Sequence, residues 1–143
     1  MHSRYEILSE NYCKLIRIEG RTMVDMAMKD ILPAVSEYSQ VLCNTLAAKK
    51  AVCESVDCSY ETEMVEKISS LTKDAYTSVK GLQKALDGAE KVTDVTELAM
   101  YYKDKVLTKM QSLRDAADSL ENIVSADYWP FPTYGELLFG VSE

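Results

Sequence analysis

The stretch from Tyr5 to Ala51 constrains the fold most, because its apolar residues recur at helical spacing on both sides of Pro33. A repeat of three and four residues is typical of an amphipathic helix that buries one face. Pro33 lacks the amide hydrogen that would bond to the carbonyl of Lys29, so we predict a kink within one continuous helix. A clean break, with Asp30 capping a second helix, is the alternative. The predicted core stripe consists of Tyr5, Leu8, Tyr12, Leu15, Met23, Met26, Ala27, Val35, Tyr38, Leu42 and Leu46.

Two further helices follow, each with an apolar stripe of its own. The second is predicted to begin after the polar segment 54–59 and to end at Gly88 in a left-handed turn. The third is predicted to begin with Asp94 and Glu97 as a capping pair. A spacing of four on both sides of Val106 is a stutter, which predicts a local relaxation of the supercoil there. The two stripes are Met64, Ile68, Leu71, Ala75, Val79, Leu82 and Leu86, and then Val95, Ala99, Tyr102, Val106, Met110, Leu113, Ala117, Leu120 and Val124.

Short connections join antiparallel neighbours, so the predicted fold is all-α. We expect an antiparallel helical bundle of three long helices, or of four if the first breaks at Pro33. The 143 residues are expected to form a single domain with a hydrophobic core. The helices are expected at about 4–52, 59–87 and 94–125, followed by an aromatic and proline-rich C-terminal tail at 127–143.

The tail differs from the rest of the chain, because it holds the single Trp and two of the three Pro. Pro130 and Pro132 cannot lie inside a helix and favour extended geometry in the residues before them. We expect the tail to fold back and seal an open end of the bundle, and docking on another domain or subunit is the alternative. The candidate packing or docking residues are Tyr128, Trp129, Phe131, Tyr134, Leu138 and Phe139.

Charge and hydropathy argue against several classes of partner. The chain carries 16 Lys and Arg against 23 Asp and Glu, a net charge of -7, which disfavours nucleic acid and anionic membranes. No apolar run approaches the roughly 20 residues that span a bilayer, and the first residues lack the apolar core of a signal peptide. Irregular cysteine spacing favours small, buried, reduced thiols in a cytoplasmic protein over a disulfide or zinc framework. The cysteines are Cys13, Cys43, Cys53 and Cys58.

The sequence contains no recognisable constellation of catalytic residues. The single histidine is His2, next to the first residue, so neither a catalytic dyad nor a histidine-rich metal site can be built. The Asp and Glu residues fall off the apolar stripes, which is typical of a solvated helix face, and no glycine-rich phosphate loop is present. We therefore predict no catalytic, cofactor-binding or metal-binding residue in this chain.

Several runs of the sequence resemble the C-terminal part of type III glutamine synthetases. The most distinctive is Tyr128–Phe139, with the letters YWPFPTYGELLF, which is similar to the closing run of that family. Generic amphipathic helices do not share such an ending. The resemblance weakens between Cys43 and Thr96. The other runs that carry it are His2–Ile7, Glu10–Lys14, Glu19–Val35, Tyr101–Leu107 and Leu113–Arg114.

The resemblance implies that the chain is a fragment of a longer enzyme, its C-terminal helical domain. Such enzymes make glutamine from glutamate, ammonia and ATP with magnesium ions, and their ATP, metal and glutamate sites lie upstream of this region. None of those motifs matches a position here, so the fragment is expected to be inactive alone and to serve interdomain or subunit packing. Its expected partners are the upstream catalytic domain and other subunits of the same enzyme. An independent helical interaction module is the alternative function.

Overall fold

The computed structural model describes residues 4–132, with side chains from residue 10 onwards, and every regular element within that part of the chain is a helix. The first long helix comprises α1 (Arg4–Met26), a π-helical turn (Ala27–Ile31) and α2 (Leu32–Val52). The second long helix is α3 (Ser59–Ala89). The third comprises α4 (Val95–Tyr101), a second π-helical turn (Tyr102–Val106) and α5 (Leu107–Ile123). The predicted all-α bundle of three long helices is confirmed.

The first long helix runs through Pro33 without a break, and it does so by means of the π-helical turn just before the proline. The amide of Leu32 donates to the carbonyl of Ala27, five residues back rather than four. Such a turn adds one residue to the helix and widens the place where the proline ring would otherwise crowd the backbone. The alternative, a new helix capped by Asp30, is therefore wrong, because Asp30 lies inside the π-helical turn.

A second π-helical turn accounts for the irregular apolar spacing around Val106. The amide of Leu107 donates to the carbonyl of Tyr102, again five residues back. Tyr102, Val106 and Met110 are each four residues apart, and all three are buried. In a regular α-helix a step of four turns the side chain about 40° away from the core-facing direction. The wider turn corrects that drift, so the stutter is accommodated by a π-helical turn within the helix itself.

The three long helices pack antiparallel, each against its neighbour along the chain. At one end of the bundle, Lys49 of the first helix pairs with Glu61 near the start of the second. Further along, Gly20 of the first helix lies against Leu86 near the end of the second. The third helix returns from there, and the hydroxyl of Tyr101 donates a hydrogen bond to the backbone of α3. This arrangement is the one expected of helices joined by short connections.

The core divides into two clusters of buried side chains, which follow each other along the bundle. The first cluster consists of Cys13, Ile16, Val24, Ala27, Val79, Leu82, Ala85, Leu86, Ala89, Tyr102, Val106, Met110 and Leu113. The second cluster consists of Ile31, Val35, Leu42, Ile68, Ala75, Ala116, Leu120 and Val124. Every long helix contributes to both clusters, so the burial of apolar surface holds the three helices together over their shared length.

The predicted stripe on the first half of the first helix is partly wrong. Tyr12, Leu15 and Met26 are exposed, although they were assigned to the core. Two apolar faces with helical spacing lie side by side on α1, and periodicity alone does not say which of them the core covers. The predicted stripe residues Tyr5 and Leu8 fall outside the described side chains. The buried face of this segment is formed by Cys13, Ile16, Gly20, Val24 and Ala27.

Gly88 does not end the second long helix, contrary to the prediction. α3 continues to Ala89, and the backbone of Gly88 is not left-handed. The hydroxyl of Tyr101, from the third helix, occupies the space that a Cβ atom at this position would fill. The glycine therefore permits close approach of a neighbouring ring. The predicted cap of the third helix is confirmed, because Asp94 accepts a hydrogen bond from the amide of Glu97 at 3.0 Å.

Candidate docking site

The described part of the tail folds back against the bundle just after the third long helix. Val124 is buried, and its amide donates to the carbonyl of Leu120 at 2.9 Å. The amides of Tyr128 and Trp129 both donate to the carbonyl of Ser125, at 2.9 and 3.1 Å. Two amides that share one carbonyl make a tight turn. This turn brings the aromatic side chains of the tail onto the second core cluster.

Three of the predicted tail residues, Tyr128, Trp129 and Phe131, are half-buried against the second core cluster. The ring centroid of Tyr128 lies 5.3 Å from that of Tyr38, and the two ring planes are inclined at 44°. Tilted aromatic pairs at this separation are favourable beyond the area that they bury. These contacts are made within the chain itself. The other three candidates lie outside the described residues: Tyr134, Leu138 and Phe139.

The aromatic contact at the tail involves neutral phenol groups. Burial raises the pKa of Tyr38 above its ordinary value, and the nearby hydroxyls of Tyr60 and Tyr128 raise it further. A phenol whose pKa is raised stays protonated at neutral pH. The tail is therefore held in this region by packing and not by charge.

A second candidate surface, which the sequence analysis missed, lies on α1. We use the name apolar ridge for Tyr12, Leu15 and Ile18, which are three residues apart and follow one row along the helix surface. Their exposed fractions are 40%, 55% and 60%, and no side chain of the described chain buries them. A contiguous row of exposed apolar side chains is typical of an interaction surface. The same spacing suits a core face and a surface row, so the sequence analysis predicts Tyr12 and Leu15 as core residues and does not single out Ile18.

A largely buried carboxylate fastens the second long helix to the end of the first. Lys49 Nζ lies 2.7 Å from Glu61 Oε2, and Glu61 is 7% exposed. The other carboxylate oxygen, Oε1, has no hydrogen-bond partner among the described residues. The hydrogen bond from Lys49 lowers the pKa of Glu61, and the same bond raises the pKa of Lys49. Both groups are therefore charged at neutral pH, and they fix the two helix ends relative to each other.

Comparison with known proteins gives one consistent relationship. Residues 1–50 match the family model described as the glutamine synthetase C-terminal domain. A glutamine synthetase of Butyrivibrio fibrisolvens is 37% identical over an alignment of 144 positions, which covers 99% of this chain and 20% of that protein. The relatives of this chain are glutamine synthetases.

Two further glutamine synthetases support the relationship. One, from Bacteroides fragilis, is 29% identical over 95% of this chain and 19% of its own length. A type-3 glutamine synthetase of Dictyostelium discoideum is 27% identical over 97% of this chain and 20% of its own length. The resemblance to type III glutamine synthetases, based on the sequence runs, is confirmed. The chain spans about a fifth of the length of the glutamine synthetases that it matches.

The match to the glutamine synthetase C-terminal domain falls on a defined part of the fold. Residues 1–50 contain α1, the first π-helical turn and nearly all of α2. This segment therefore includes the whole apolar ridge. It also includes Gly20, against which the side chain of Leu86 packs. The tail lies beyond that match, but the similarity to the Butyrivibrio glutamine synthetase covers 99% of the chain. Both candidate surfaces thus lie in segments shared with glutamine synthetases.

Three further observations concern metal-binding groups, membrane-spanning helices and cysteines. In the part of the chain that the structure describes, no group of three or more His, Cys, Asp or Glu side chains is placed to hold a metal ion. No helix in residues 4–132 is both long enough and apolar enough to cross a membrane. The cysteines are unpaired, and the expectation of buried thiols holds for Cys13 but not for Cys43 and Cys53, which are exposed.

Proposed function

We propose that this chain is the C-terminal helical domain of a glutamine synthetase, a ligase that joins ammonia to glutamate with ATP. The observation that carries the proposal is the 37% identity to a glutamine synthetase over 99% of the chain. That relative is much longer, since the match covers 20% of it. We therefore assign the reaction of the parent enzyme to the remaining part of the protein, outside this chain.

The domain contributes packing surfaces and no catalytic group. ATP and Mg²⁺ are the cofactors that we propose for the parent enzyme, bound by its catalytic domain. No position of this chain matches a motif of that chemistry, and most of its described carboxylates, unlike Glu61, lie on the solvated sides of the helices. The partners of the domain are then the catalytic domain and neighbouring subunits of the same enzyme. We place that enzyme in the cytoplasm, which agrees with unpaired cysteines of which two are exposed.

The apolar ridge is the surface that we propose for this packing. Its residues project from the side of α1 that faces away from the core, and their exposed fractions reach 60% at Ile18. The described chain leaves this side uncovered, and about four fifths of a parent of the relatives' length lies outside the chain. An apolar row is favourably buried when another domain or subunit covers it. The tail plays a different part, because its described aromatic residues already pack on their own bundle.

Substitutions in the apolar ridge test this role in the full-length parent enzyme. The variant carries Leu15→Ser and Ile18→Ser, and a control variant carries Met28→Ser and Val41→Ser, which are also exposed on the first long helix. We expect light scattering to show a smaller assembly for the ridge variant, with a matching loss of glutamine formation. The control is expected to assemble as the parent does.

The isolated 143-residue chain separates packing from folding. Because the substituted ridge residues are exposed, its free energy of unfolding is expected to change by no more than about 0.5 kcal/mol. Unchanged assembly and activity of the ridge variant at full length would contradict the packing role. Glutamine formation by the isolated chain would contradict the assignment of catalysis to the rest of the enzyme.

A further inference from the structure

A groove between the end of α3 and the first part of the third long helix has an unusual lining for this acidic chain. Its volume is about 740 Å³, which lies in the range of small-molecule sites. The lining includes Tyr101 and a single carboxylate, that of Asp87. We call this feature the lysine groove, after the five lysines that line it: Lys80, Lys84, Lys91, Lys105 and Lys109.

The positive charge of the lysine groove is not neutralised within the described chain. The Asp87 carboxylate lies 3.7 Å from the guanidinium of Arg21, a cation outside the groove. None of the five lysines forms an ion pair with any residue in 10–132. Lys80 instead lies over the ring of Tyr76, 4.9 Å from its centroid. A chain of net charge -7 thus has five lysines around one groove that form no ion pair with the described residues.

The spacing of the lysines makes this arrangement unfavourable for the free protein. Lys80 and Lys84 are four residues apart on α3, and Lys105 and Lys109 are four residues apart on the third helix. Like charges at this spacing are neighbours on a helix surface and destabilise it. Two such pairs line the same groove. A bound anion would relieve the repulsion within each pair.

The floor of the lysine groove is held in a fixed shape. The hydroxyl of Tyr101 donates to the carbonyl of Ala85 at 2.7 Å, which fixes the ring as one wall. Gly81 and Gly88 contribute no side chain, and the stem of Lys109 runs 3.4 Å from the place of a Cβ at Gly81. The groove therefore combines a fixed aromatic wall with two positions that carry no side chain, and lysine side chains line the rest.

We propose that the lysine groove binds a triphosphate group, either as inorganic triphosphate or as part of a nucleoside triphosphate. Lysine is a compact cation with three donors, and it binds phosphate oxygens as a point charge. A triphosphate places several negative charges within a few ångströms, which matches a groove of this volume that five lysines line. This site departs from the prediction that the chain has no ligand-binding residue. It does not depend on the packing role of the apolar ridge, which lies on α1.

Isothermal titration calorimetry of the 143-residue chain with sodium triphosphate at low salt tests the proposal. The groove variant carries Lys105→Gln and Lys109→Gln, and the control carries Lys67→Gln and Lys73→Gln, which are exposed on α3 outside the groove. We expect saturable binding that the groove variant weakens at least about tenfold, because two charge-assisted contacts are lost. The control is expected to bind as the unsubstituted chain does, and added salt is expected to weaken binding.

A second titration with ATP distinguishes the two sources of the triphosphate. Equal affinities for ATP and inorganic triphosphate would show that the site recognises the phosphates alone. Tighter binding of ATP would indicate a further contact between the base and the ring of Tyr101. The proposal is overturned if triphosphate does not bind at millimolar concentration, or if both variants weaken binding equally. It is also overturned if a hexaglutamate peptide binds and triphosphate does not, because the groove would then fit an acidic protein surface.

Discussion

Gly88 and Gly81 are seven residues apart on α3, yet the structure gives them different surroundings. The hydroxyl of Tyr101 fills the place of a Cβ at Gly88, and that hydroxyl is fixed by its hydrogen bond to Ala85. At Gly81 the nearest atom is in the flexible stem of Lys109, at 3.4 Å. A rigid neighbour cannot yield to an added methyl group, whereas a flexible side chain can.

We therefore expect opposite effects from the same substitution at these two glycines. Gly88→Ala should lower the free energy of unfolding by about 1–2 kcal/mol, because overpacking and the displaced Tyr101 outweigh the better helix propensity of alanine. Gly81→Ala should raise it by up to about 1 kcal/mol, because only the propensity changes. Urea denaturation of both variants measures the difference. Stabilisation by both substitutions would show that Tyr101 adapts to the extra methyl group.

Glu61 provides a prediction about pH. Its pKa is lower in the folded chain than the ordinary value of 4.5, because Lys49 donates a hydrogen bond to it. The folded state therefore binds fewer protons at this site than the unfolded state, so the stabilisation is present above about pH 4.5 and disappears as the pH falls through the folded pKa. Glu61→Gln should lower stability at pH 7 and reduce the loss of stability between neutral and acidic pH.

The matched control for Glu61→Gln is Glu63→Gln, an exposed carboxylate on the same helix. Urea denaturation at a series of pH values from 7 to about 3 measures both variants, and we expect the control to keep the pH profile of the unsubstituted chain. Identical profiles for the two variants would mean that the contact between Lys49 and Glu61 adds nothing to stability.

Single residues also show where sequence reasoning succeeds and where it fails. The cap at Asp94 was predictable, because a capping residue acts on amides three residues away in the same helix. The role of Gly88 was not, because it depends on Tyr101, which reaches it from another helix. Glycine suits a left-handed turn and a close contact equally well, so the residue type alone does not distinguish them.

At the level of elements, the two π-helical turns share one sequence pattern. In each, the turn lies within three buried residues spaced by four: Ala27, Ile31 and Val35 in the first long helix, and Tyr102, Val106 and Met110 in the third. A regular helix would carry such residues progressively off the core-facing side. One extra residue in the turn restores the direction of the side chains that follow.

This interpretation predicts that the extra residue can be removed. Deletion of the exposed Asp104 from the second π-helical turn should leave an α-helix whose later side chains keep their direction, with a loss of about 1–3 kcal/mol from imperfect packing. Deletion of the exposed Asp115 from α5 should instead rotate all later residues by about 100° and abolish cooperative unfolding. Circular dichroism during thermal unfolding measures both. Equal damage from the two deletions would contradict the interpretation.

The tail is the element in which aromatic residues alternate with prolines, and the structure describes it up to residue 132. Its described aromatic residues pack on the bundle, but Trp129 is half-buried rather than fully enclosed. Trp129→Ala should therefore lower the free energy of unfolding by about 1–3 kcal/mol, less than the 3–5 typical of a fully buried aromatic. Met100→Ala, at an exposed site, should change it by less than about 0.5 kcal/mol. Unchanged melting of the Trp129 variant with weaker assembly of the parent enzyme would assign the tail to docking between subunits.

For the whole molecule, helix number and order followed from periodicity, whereas the face of α1 that meets the core did not. The stripes on α3 and on the third helix contain one continuous apolar face each, and most of their predicted residues are buried or half-buried. α1 offers two apolar faces, and the smaller residues, such as Gly20, face the core because Leu86 needs the space. The apolar ridge is therefore exposed because Leu86 of α3 packs against the other apolar face of α1.

The division of the core predicts that the two ends of the bundle respond separately to damage. Leu82 in the first cluster and Leu120 in the second are both fully buried, so either leucine-to-alanine substitution should cost about 2–5 kcal/mol. Amide hydrogen exchange should then lose protection mainly around the cluster that contains the substitution. Uniform loss of protection along all three helices in both variants would show that the clusters unfold as one unit.

The position of the apolar ridge relative to that division has a further consequence. The ridge lies on the stretch of α1 whose inner side belongs to the first cluster, while the tail rests on the second. A partner bound to the ridge would therefore stabilise the end of the bundle that contains the first cluster. The end that contains the second cluster would depend on its own packing alone. Local unfolding or substitutions at the tail end would then leave the contact between the ridge and its partner intact.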